Sequence, residues 1–450
     1  MKDSVFGKSM LAALFLTVAC SDDSGGNAAR YLDTGGTAPA TGGAAALGGA
    51  VSATGGAPAT GGAAPVTGGT GPGTAGTVPG TGGAGPGTAG TDTGTGGTDP
   101  GTGGTDTGTG GTDPGTGGTD PGTGGTDSGT GGTDPTIPPP PGYISIHEAA
   151  PGWASMTSGT TGGGTDLGSA VTVSSMADLQ GEAAGPDAKI ILVEPGTYNG
   201  ELAPGPNKTI VGTAPGVMIH GGIMISGEEK TNIIIRNMAI RQDKCGSHGD
   251  CQSGTDAVYI GRSAHHVWLD HMDIADGQDG NCDITRQGDY VTVSWTKFHY
   301  TYDKAHAFSN LIAGSGGETE SRGKLQITYM NCWWGDNVDQ RQPMGRFGKI
   351  HMLNNYHKND PTFIHEVNRE LSLIAENCYY DIPGKSIFRG NKGPTGYKGI
   401  GNEGTADGLD DSFGTVFDIP YSYTAMSATE ARDAITSPDC GAGNTCQLMQ

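Results

Sequence analysis

The sequence predicts an all-β protein whose main domain is a parallel β-helix, a single-stranded solenoid preceded by a long disordered linker. Short runs of β-branched and aromatic residues, separated by polar loops, follow one another from Tyr143 onwards. Asn331, Asn354 and Asn377 stand in similar surroundings at intervals of 23 residues. A repeat of 20–50 residues with a short strand in each unit is typical of stacked coils.

The first twenty residues have the pattern of an export signal. Lys2 and Lys8 precede an apolar run at 10–19, and Cys20 follows. The run is too short to span a membrane as a mature helix. LTVAC resembles a bacterial lipoprotein signal, which implies an extracellular or cell-surface protein anchored in the outer membrane at Cys20. The alternative is a plain secretory peptide with a chance cysteine.

Residues 21–141 form the predicted disordered linker. Glycine accounts for 84 of the 450 residues, and from Asp92 to Asp134 a unit close to GTGGTDP recurs every seven residues. Because this repeat has no apolar positions to pack, it cannot offset its ordering entropy and should remain a flexible tether. The globular domain is therefore predicted to occupy residues 142–450.

The charge of the chain restricts its partners. The formal net charge is -22, which excludes a general nucleic-acid binder. An acidic polymer could still bind through a local group of cations or a metal ion. Membrane contact is expected only through the N-terminal lipid anchor, and we expect a monomer.

Eight runs carry the predicted strands of the domain. They are 190–193, 232–240, 257–260, 267–274, 290–298, 325–334, 349–357 and 371–380. Stacked coils would bring the asparagines at 331, 354 and 377 together, and we expect an internal ladder of amide hydrogen bonds at a bend. The alternative is a β-sandwich in which the equal spacing is accidental.

The cysteines give a further test of this stacking. In an exported chain, the short-loop pairs Cys245–Cys251 and Cys440–Cys446 are candidates for disulfides. Cys332 and Cys378 share a stack position two coils apart, about 9–10 Å, which is beyond disulfide reach. We predict that both are buried free thiols and that Cys282 is also free.

Three aspartates are the candidate ligands of a metal ion. Asp256, Asp279 and Asp283 each lie beside a strand-like run, so neighbouring coils could bring them together. Gathered carboxylates suit Ca²⁺, which takes oxygen ligands at about 2.3–2.6 Å. The alternative for any single aspartate is a solvated loop residue.

Three cations stand near these aspartates in the predicted stack. They are Lys304 in YDKAH and the pair Arg341 and Arg346 in RQPMGR. The alternative is that the arginines form surface ion pairs with Asp336 and Asp339, which would contribute about 0–1 kcal/mol. Cations beside an acidic cluster instead indicate an anionic ligand bridged by a metal ion.

The region from about 150 to 440 resembles the pectate lyases of polysaccharide lyase family 1. The similar stretches are VWLDH at 267–271, DYVTVSW at 289–295, the DK pair at 303–304 and RQPMGRFGKIHMLNNY at 341–356. The resemblance implies a right-handed parallel β-helix and Ca²⁺-dependent β-elimination of α-1,4-linked polygalacturonate (pectate), giving unsaturated oligogalacturonides. Arg341 would then be the catalytic base. Lys304 and Arg346 would grip the substrate carboxylates, and Asp256, Asp279 and Asp283 would hold Ca²⁺.

One position departs from the family pattern, because Gly254 stands where some members have a further aspartate. We interpret Asp270 and His271 as structural residues. Since a guanidinium normally keeps its proton, an arginine base predicts an alkaline optimum. Alternatives are a pectin lyase acting on methylated pectin, a polygalacturonase, and a non-catalytic pectin-binding surface adhesin.

Overall fold

The computed structural model describes residues 139–245, 254–389 and 395–449. The predicted export signal and nearly all of the predicted linker lie outside these ranges, so both stay predictions. No helix among the described residues is long and apolar enough to cross a membrane.

Stacked coils build the domain, and each full coil contributes one strand to each of three parallel faces. The first face is an 11-stranded sheet. Its strands are β2 (Val171–Val173), β3 (Lys189–Val193), β5 (Lys208–Gly212), β7 (Thr231–Arg236), β10 (His265–Asp270), β13 (Asp289–Ser294), β16 (Gln326–Met330), β19 (Lys349–Leu353), β22 (Ser372–Glu376), β25 (Gly396–Ile400) and β27 (Ser412–Phe413). Only the last pair, β25 with β27, is antiparallel among the described strands.

The second and third faces are joined through one long strand, β6 (Val217–Ser226), whose first half pairs with β8 and whose second half pairs with β9. The second face also contains β4 (Gly196–Leu202), β8 (Ala239–Arg241), β11 (Asp273–Ala275), β14 (Lys297–His299), β17 (Trp333–Trp334), β20 (Tyr356–His357), β23 (Tyr379–Tyr380) and β26 (Glu403–Gly404). The third face contains β9 (Val258–Gly261), β12 (Cys282–Ile284), β15 (Leu311–Ile312), β18 (Met344–Gly345), β21 (His365–Val367) and β24 (Phe388–Arg389).

The predicted parallel β-helix is confirmed by this register. Strands inside the stack pair with the strands of the coils before and after them, as in β13 with β16, where Val293 lies beside Tyr329. One continuous apolar cluster runs along the interior. Burial of that cluster is the main force that holds the coils together.

Helices and chain ends cover the stack. Helix α1 (Met176–Ala183) packs against β2, β3 and β4 and buries Leu179 and Ala183 in the main core. Helix α2 (Ala428–Ile435) packs on the outer side of β20 and β23. Strand β1 (Tyr143–Ile144) pairs with β28 (Gln447–Leu448), so both ends of the described chain meet. Short 3-10 helices lie at Gly152–Ser155, Leu167–Ser169 and Thr319–Ser321.

The long strand runs predicted from the sequence each contain two strands, because a sharp bend separates the first face from the second. The bend residue has a left-handed backbone, with φ of 54° at Asn331, 52° at Asn354 and 48° at Asn377. Asparagine tolerates this conformation better than most residues. The 23-residue recurrence therefore marks the bend of each coil.

The ladder predicted for these asparagines is only partly observed, because the Asn354 amide donates to the Asn377 oxygen of the next coil at 3.1 Å. The Asn354 side chain also binds the backbone of Met426 in the C-terminal segment, donating to its oxygen at 2.8 Å and accepting from its nitrogen at 2.9 Å. The inward amide is the next residue, Asn355, whose Oδ1 accepts from the Cys332 nitrogen at 2.8 Å. At the bend, one residue faces outwards and its successor faces the core.

The predicted thiol arrangement is confirmed where the structure describes it. Cys440 and Cys446 form a disulfide. Cys282, Cys332 and Cys378 are buried free cysteines. Asn355 separates Cys332 from Cys378 in the stack, as expected for positions two coils apart. Cys251, the proposed partner of Cys245, lies outside the described residues.

Candidate active site

The third face gathers most of the residues that the sequence analysis selected. Asp256 lies two residues before the start of β9, and Asp283 lies in β12 directly beside Tyr259 of β9. Phe308 forms isolated parallel β-bridges with Gly280 on the preceding coil and with Gln340 on the following coil. These bridges place the segment before β18 over the loop before β12. Arg341 and Arg346 flank β18. Residues from four consecutive coils therefore share one surface.

Asp256 and Asp283 form a close pair, which we call the cleft carboxylates. A methyl group placed on Gly280 would lie 2.8 Å from Asp283 Oδ1 and 3.1 Å from Asp256 Oδ1, so one point is near both oxygens. Asp283 Oδ1 accepts a hydrogen bond from the Leu311 nitrogen at 3.0 Å. Asp256 Oδ1 is buried and has no hydrogen-bond partner among the described residues. At least one oxygen of this pair therefore lacks the hydrogen-bond partner that buried polar atoms normally have.

The pKa values of the cleft carboxylates also show that their ionised forms have too few stabilising partners. Burial, followed by the charges of Asp283 and Asp279, raises the pKa of Asp256 well above its ordinary value. Burial raises the pKa of Asp283 to about 7, although Arg341 acts in the opposite direction. Two buried like charges disfavour each other's ionised form. A cation placed between them would relieve both effects.

Asp279 is near this pair but turned to a different partner. Its Oδ1 lies 3.2 Å from His306 Nε2, and its side chain is 42% exposed, whereas Asp283 is buried. Its charge still raises the pKa values of both Asp256 and Asp283. Among the described residues, ligand atoms of the three aspartates do not all come within 4.8 Å of one another. The structure thus brings together two of the predicted ligands and places the third beside them.

Arg341 projects over the same surface from a left-handed backbone, with φ of 61°. Its guanidinium carbon lies 4.3 Å from the centre of the Phe308 ring, a cation–π contact. The positive charge of Arg341 opposes the rise in the pKa of both cleft carboxylates, so the guanidinium lies close enough to interact with them electrostatically. The surface ion pair with Asp339 is not observed, because that carboxylate accepts from Thr362 instead.

The other two predicted cations occupy different environments. Burial, followed by the charge of Arg341, lowers the pKa of Arg346 from its ordinary value, and its Nη1 donates to the Ala313 oxygen at 2.9 Å. Lys304 is only 3% exposed, and its ammonium group donates to the backbone oxygen of His306. Arg346 therefore lies beside Arg341, whereas Lys304 is directed below the surface.

Three residues of this surface were not predicted from the sequence. His306 and Phe308 follow Lys304 within four positions, and their rings lie 3.9 Å apart. Gly280 leaves the space between the cleft carboxylates. The only signal available in the sequence was the closeness of His306 and Phe308 to Lys304, because neither residue has a distinctive spacing.

Comparison with known proteins identifies the family. The model of the family described as pectate lyase matches residues 144–445. Pectate lyase A of Aspergillus niger is 31% identical over 305 residues, which cover 65% of this chain and 87% of that protein. Pectate lyase plyB of Emericella nidulans is 31% identical over 301 residues, which cover 63% and 86%. The chain belongs to the pectate lyase family.

Solved structures agree with this assignment. A pectate lyase from a Bacillus species, solved in complex with trigalacturonate, superimposes with a TM-score of 0.51 at 25% identity and covers 65% of this chain and 98% of that one. A Bacillus subtilis pectate lyase variant at 19% identity shares the fold, with a TM-score of 0.52 over 66% and 99% of the two chains. This pectate lyase is therefore a polysaccharide lyase that cleaves pectate.

A second group of charges in this pectate lyase lies on the first face, away from the third-face strands. We call Glu148, Arg236, Asp270 and His271 the first-face ion cluster. Arg236 donates to Asp270 at 2.8 Å and contacts Glu148 at 2.5 Å, and His271 lies 2.6 Å from Asp270. Burial opposes ionisation of Asp270, yet His271 and Arg236 outweigh it and lower the pKa of Asp270 well below its usual range. This placement agrees with the structural interpretation of Asp270 and His271.

Proposed function

We propose that this pectate lyase cleaves α-1,4-linked polygalacturonate by Ca²⁺-dependent β-elimination. The observation that supports the proposal most strongly is the pair of cleft carboxylates around Gly280, with a buried oxygen of Asp256 that has no hydrogen-bond partner among the described residues and an arginine on the same surface. Structural carboxylates in folded proteins are usually paired or hydrogen-bonded. A pair that is not so satisfied is a candidate site for a ligand.

The residues present fit Ca²⁺. Asp256 Oδ1 has no hydrogen-bond partner among the described residues, and the open position at Gly280 leaves room beside Asp283 Oδ1. Asp279 would complete an all-oxygen set once it leaves His306, which suits a hard cation. When bound, Ca²⁺ would supply positive charge that neutralises the uronate carboxylate and makes the adjacent C5 proton more acidic.

Arg341 is the proposed base. It would take the proton from C5, the electron pair of that C–H bond would form the C4–C5 double bond, and the C4–O glycosidic bond would break. The departing oxygen would take a proton from solvent. Arg346 lies close enough to Arg341 for the charge of Arg341 to lower its pKa, and it would hold the substrate carboxylate during the reaction.

Lys304 would act differently from the role first expected of it. Because its ammonium group is buried against the His306 carbonyl, it would contribute positive charge beneath the cleft and orient the segment that carries His306 and Phe308. Direct contact with the substrate carboxylate is assigned to Arg346, which is less buried than Lys304.

The test is an absorbance assay on polygalacturonate and on highly esterified pectin, each with added Ca²⁺ and with excess chelator. The proposal expects an ultraviolet-absorbing unsaturated product from polygalacturonate with Ca²⁺, none with chelator, and recovery when Ca²⁺ alone is restored. Chelator-resistant activity on esterified pectin would instead indicate a pectin lyase. Shortened products without the double bond would indicate hydrolysis, and the absence of any cleavage would favour an adhesin.

A further inference from the structure

A buried polar pair lies directly behind the proposed base. Gln342, the residue after Arg341, is fully buried, and its Oε1 accepts a hydrogen bond from His357 Nδ1 at 3.0 Å. The Gln342 backbone nitrogen donates to the Ile364 oxygen at 3.0 Å. Arg341 therefore projects outwards while its neighbour is fixed inside the β-helix.

The His357 ring is held in place by stacking. Its centre lies 4.7 Å from that of Trp334 and 4.7 Å from that of Tyr380, with interplanar angles of 3° and 13°. These three residues occupy equivalent positions on consecutive coils of the second face. Burial lowers the pKa of His357 well below its ordinary value, so the imidazole is neutral. Because the partner atom is a carbonyl oxygen, Nδ1 carries the proton and donates.

The contribution of the Gln342–His357 pair to the stability of the folded state does not account for its presence. Gln342 Nε2 and His357 Nε2 are both buried, and within the described chain neither has a hydrogen-bond partner. Burying polar atoms without partners is unfavourable, and an apolar pair of the same shape would avoid it. A single hydrogen bond thus remains between two otherwise unsatisfied side chains, one residue away from Arg341.

The hydrogen bond between Gln342 and His357 would help to fix the backbone around Arg341. The Arg341 oxygen accepts from the Asn310 nitrogen at 2.7 Å, and the Gln340 oxygen accepts from the Ser309 nitrogen at 3.0 Å. These bonds join Arg341 to the preceding coil, whereas Gln342 joins it to the following coil and to the interior. The φ of 61° at Arg341 is unfavourable for a long side chain and persists only where neighbouring contacts hold it.

We propose that Gln342 and His357 are positioning residues for Arg341: their hydrogen bond, anchored in the interior ring stack, sets the direction in which the guanidinium leaves the backbone. The inference rests on the proposed function, in which Arg341 takes the proton. A displacement of about 1 Å at a reacting group can reduce the rate about 100-fold. The bond therefore acts on the rate of proton removal and leaves ion binding by Asp256 and Asp283 unchanged.

Two substitutions at one position separate positioning from packing. His357→Phe keeps a flat ring between Trp334 and Tyr380 but removes the donor to Gln342. His357→Gln removes the stacked ring but keeps an amide donor. We expect His357→Phe to lower kcat about 100-fold, with KM within twofold and unchanged Ca²⁺ affinity by calorimetry. His357→Gln should melt at a lower temperature yet retain most of kcat.

Gln342→Met and Tyr380→Phe complete the series. Gln342→Met, which keeps the length and loses the acceptor, should reproduce the kcat loss of His357→Phe. Tyr380→Phe is the matched control, because it removes the 2.7 Å hydrogen bond to His365 from the same stack and leaves Gln342 untouched. Its kcat should be unchanged even if its melting temperature falls.

The outcomes also separate this inference from the proposed function. Full kcat in His357→Phe, or a kcat loss that follows the melting temperature across all four variants, would overturn the positioning role. If the unsubstituted enzyme makes no unsaturated product, or Arg341→Lys is fully active, the proposed function itself fails. An active enzyme, an inactive Arg341→Lys and a fully active His357→Phe would reject positioning alone.

Discussion

The first-face ion cluster and the cleft carboxylates use similar residues with opposite results. In the first-face ion cluster, Asp270 is surrounded by Arg236, His271 and Ser294, and its pKa falls below the usual range. At the cleft, burial and neighbouring aspartates raise the pKa of Asp283 and Asp256, and the arginine that faces them only partly offsets this.

The two carboxylates differ in the number of hydrogen bonds that they accept. They do not differ much in burial, because Asp270 and Asp283 are 1% and 6% exposed. A carboxylate whose lone pairs meet donors stabilises the native state, whereas one that meets another carboxylate destabilises it. The cleft carboxylates therefore destabilise the ion-free folded protein, and a bound cation can remove this destabilisation. Burial alone does not distinguish a structural aspartate from a functional one.

Replacing the proposed base tests the cleft most severely. Arg341→Lys should reduce turnover of polygalacturonate by about 1,000-fold or more, equal to about 4 kcal/mol of activation free energy, because the proton acceptor is displaced. The measurement is product absorbance at saturating Ca²⁺, with a thermal melt to show that the fold is intact. The control is Arg322→Lys, whose arginine pairs with Glu370 at 2.7 Å on the surface and should leave turnover unchanged.

Matched substitutions in the two groups should have opposite effects. Asp270→Asn leaves the buried charge of Arg236 without its buried carboxylate partner and should lower the free energy of unfolding by about 3–5 kcal/mol. Asp283→Asn removes a like-charge repulsion, so the Ca²⁺-free protein should be no less stable. The same variant should bind Ca²⁺ much more weakly. Urea titration and calorimetry measure both quantities, and equal destabilisation by the two variants would contradict the comparison.

The pH dependence of stability should also differ in sign. The folded pKa of Asp283 is about 7, above the value of roughly 3.9 in an unfolded chain. The folded state therefore holds more protons in this window, and the Ca²⁺-free protein should lose stability as pH rises from about 4 to about 7. The loss should be on the order of 4 kcal/mol at most.

Asp270 should act in the opposite direction, because its folded pKa is depressed: its stabilisation is present above pH ~4 and is lost as pH falls further. Urea midpoints across pH 4–8, with chelator and with Ca²⁺, measure the cleft effect. Ca²⁺ or Asp283→Asn should flatten the slope between pH 4 and 7. A slope that neither of them changes would show that other groups cause it.

A small substitution between the cleft carboxylates gives the mildest test. Gly280→Ala would place a methyl group 2.8 Å from Asp283 Oδ1, so that side chain must move. We expect Ca²⁺ affinity to fall about tenfold, about 1.4 kcal/mol, with little change in the melting temperature. Gly181→Ala, in helix α1 with no atom within 4 Å of the added methyl group, is the control. Unchanged affinity in Gly280→Ala would place the cation elsewhere.

Strands of the first and second faces were predictable because they are rich in β-branched and aromatic residues, and because the bends at Asn331, Asn354 and Asn377 recur every 23 residues. The run at 349–357 corresponds to β19 and β20, separated by the bend at Asn354. The third face was hardly visible, since β15 and β18 have two residues each and lie among polar loops of variable length. These inconspicuous strands carry the candidate site.

Residue types and spacing were sufficient to identify the stacked architecture, the disulfide Cys440–Cys446 and the residues from which a cleft could be built. They could not show that Asp283 accepts a hydrogen bond from Leu311 whereas Asp270 is bonded to three side chains, that Lys304 is buried, or that Gln342 meets His357 inside the stack. Strand propensity, and the 23-residue interval between the bends at Asn331, Asn354 and Asn377, are local properties that can be read along the chain. Hydrogen-bond satisfaction depends on which atoms of distant coils meet, and that arises only when the coils are stacked.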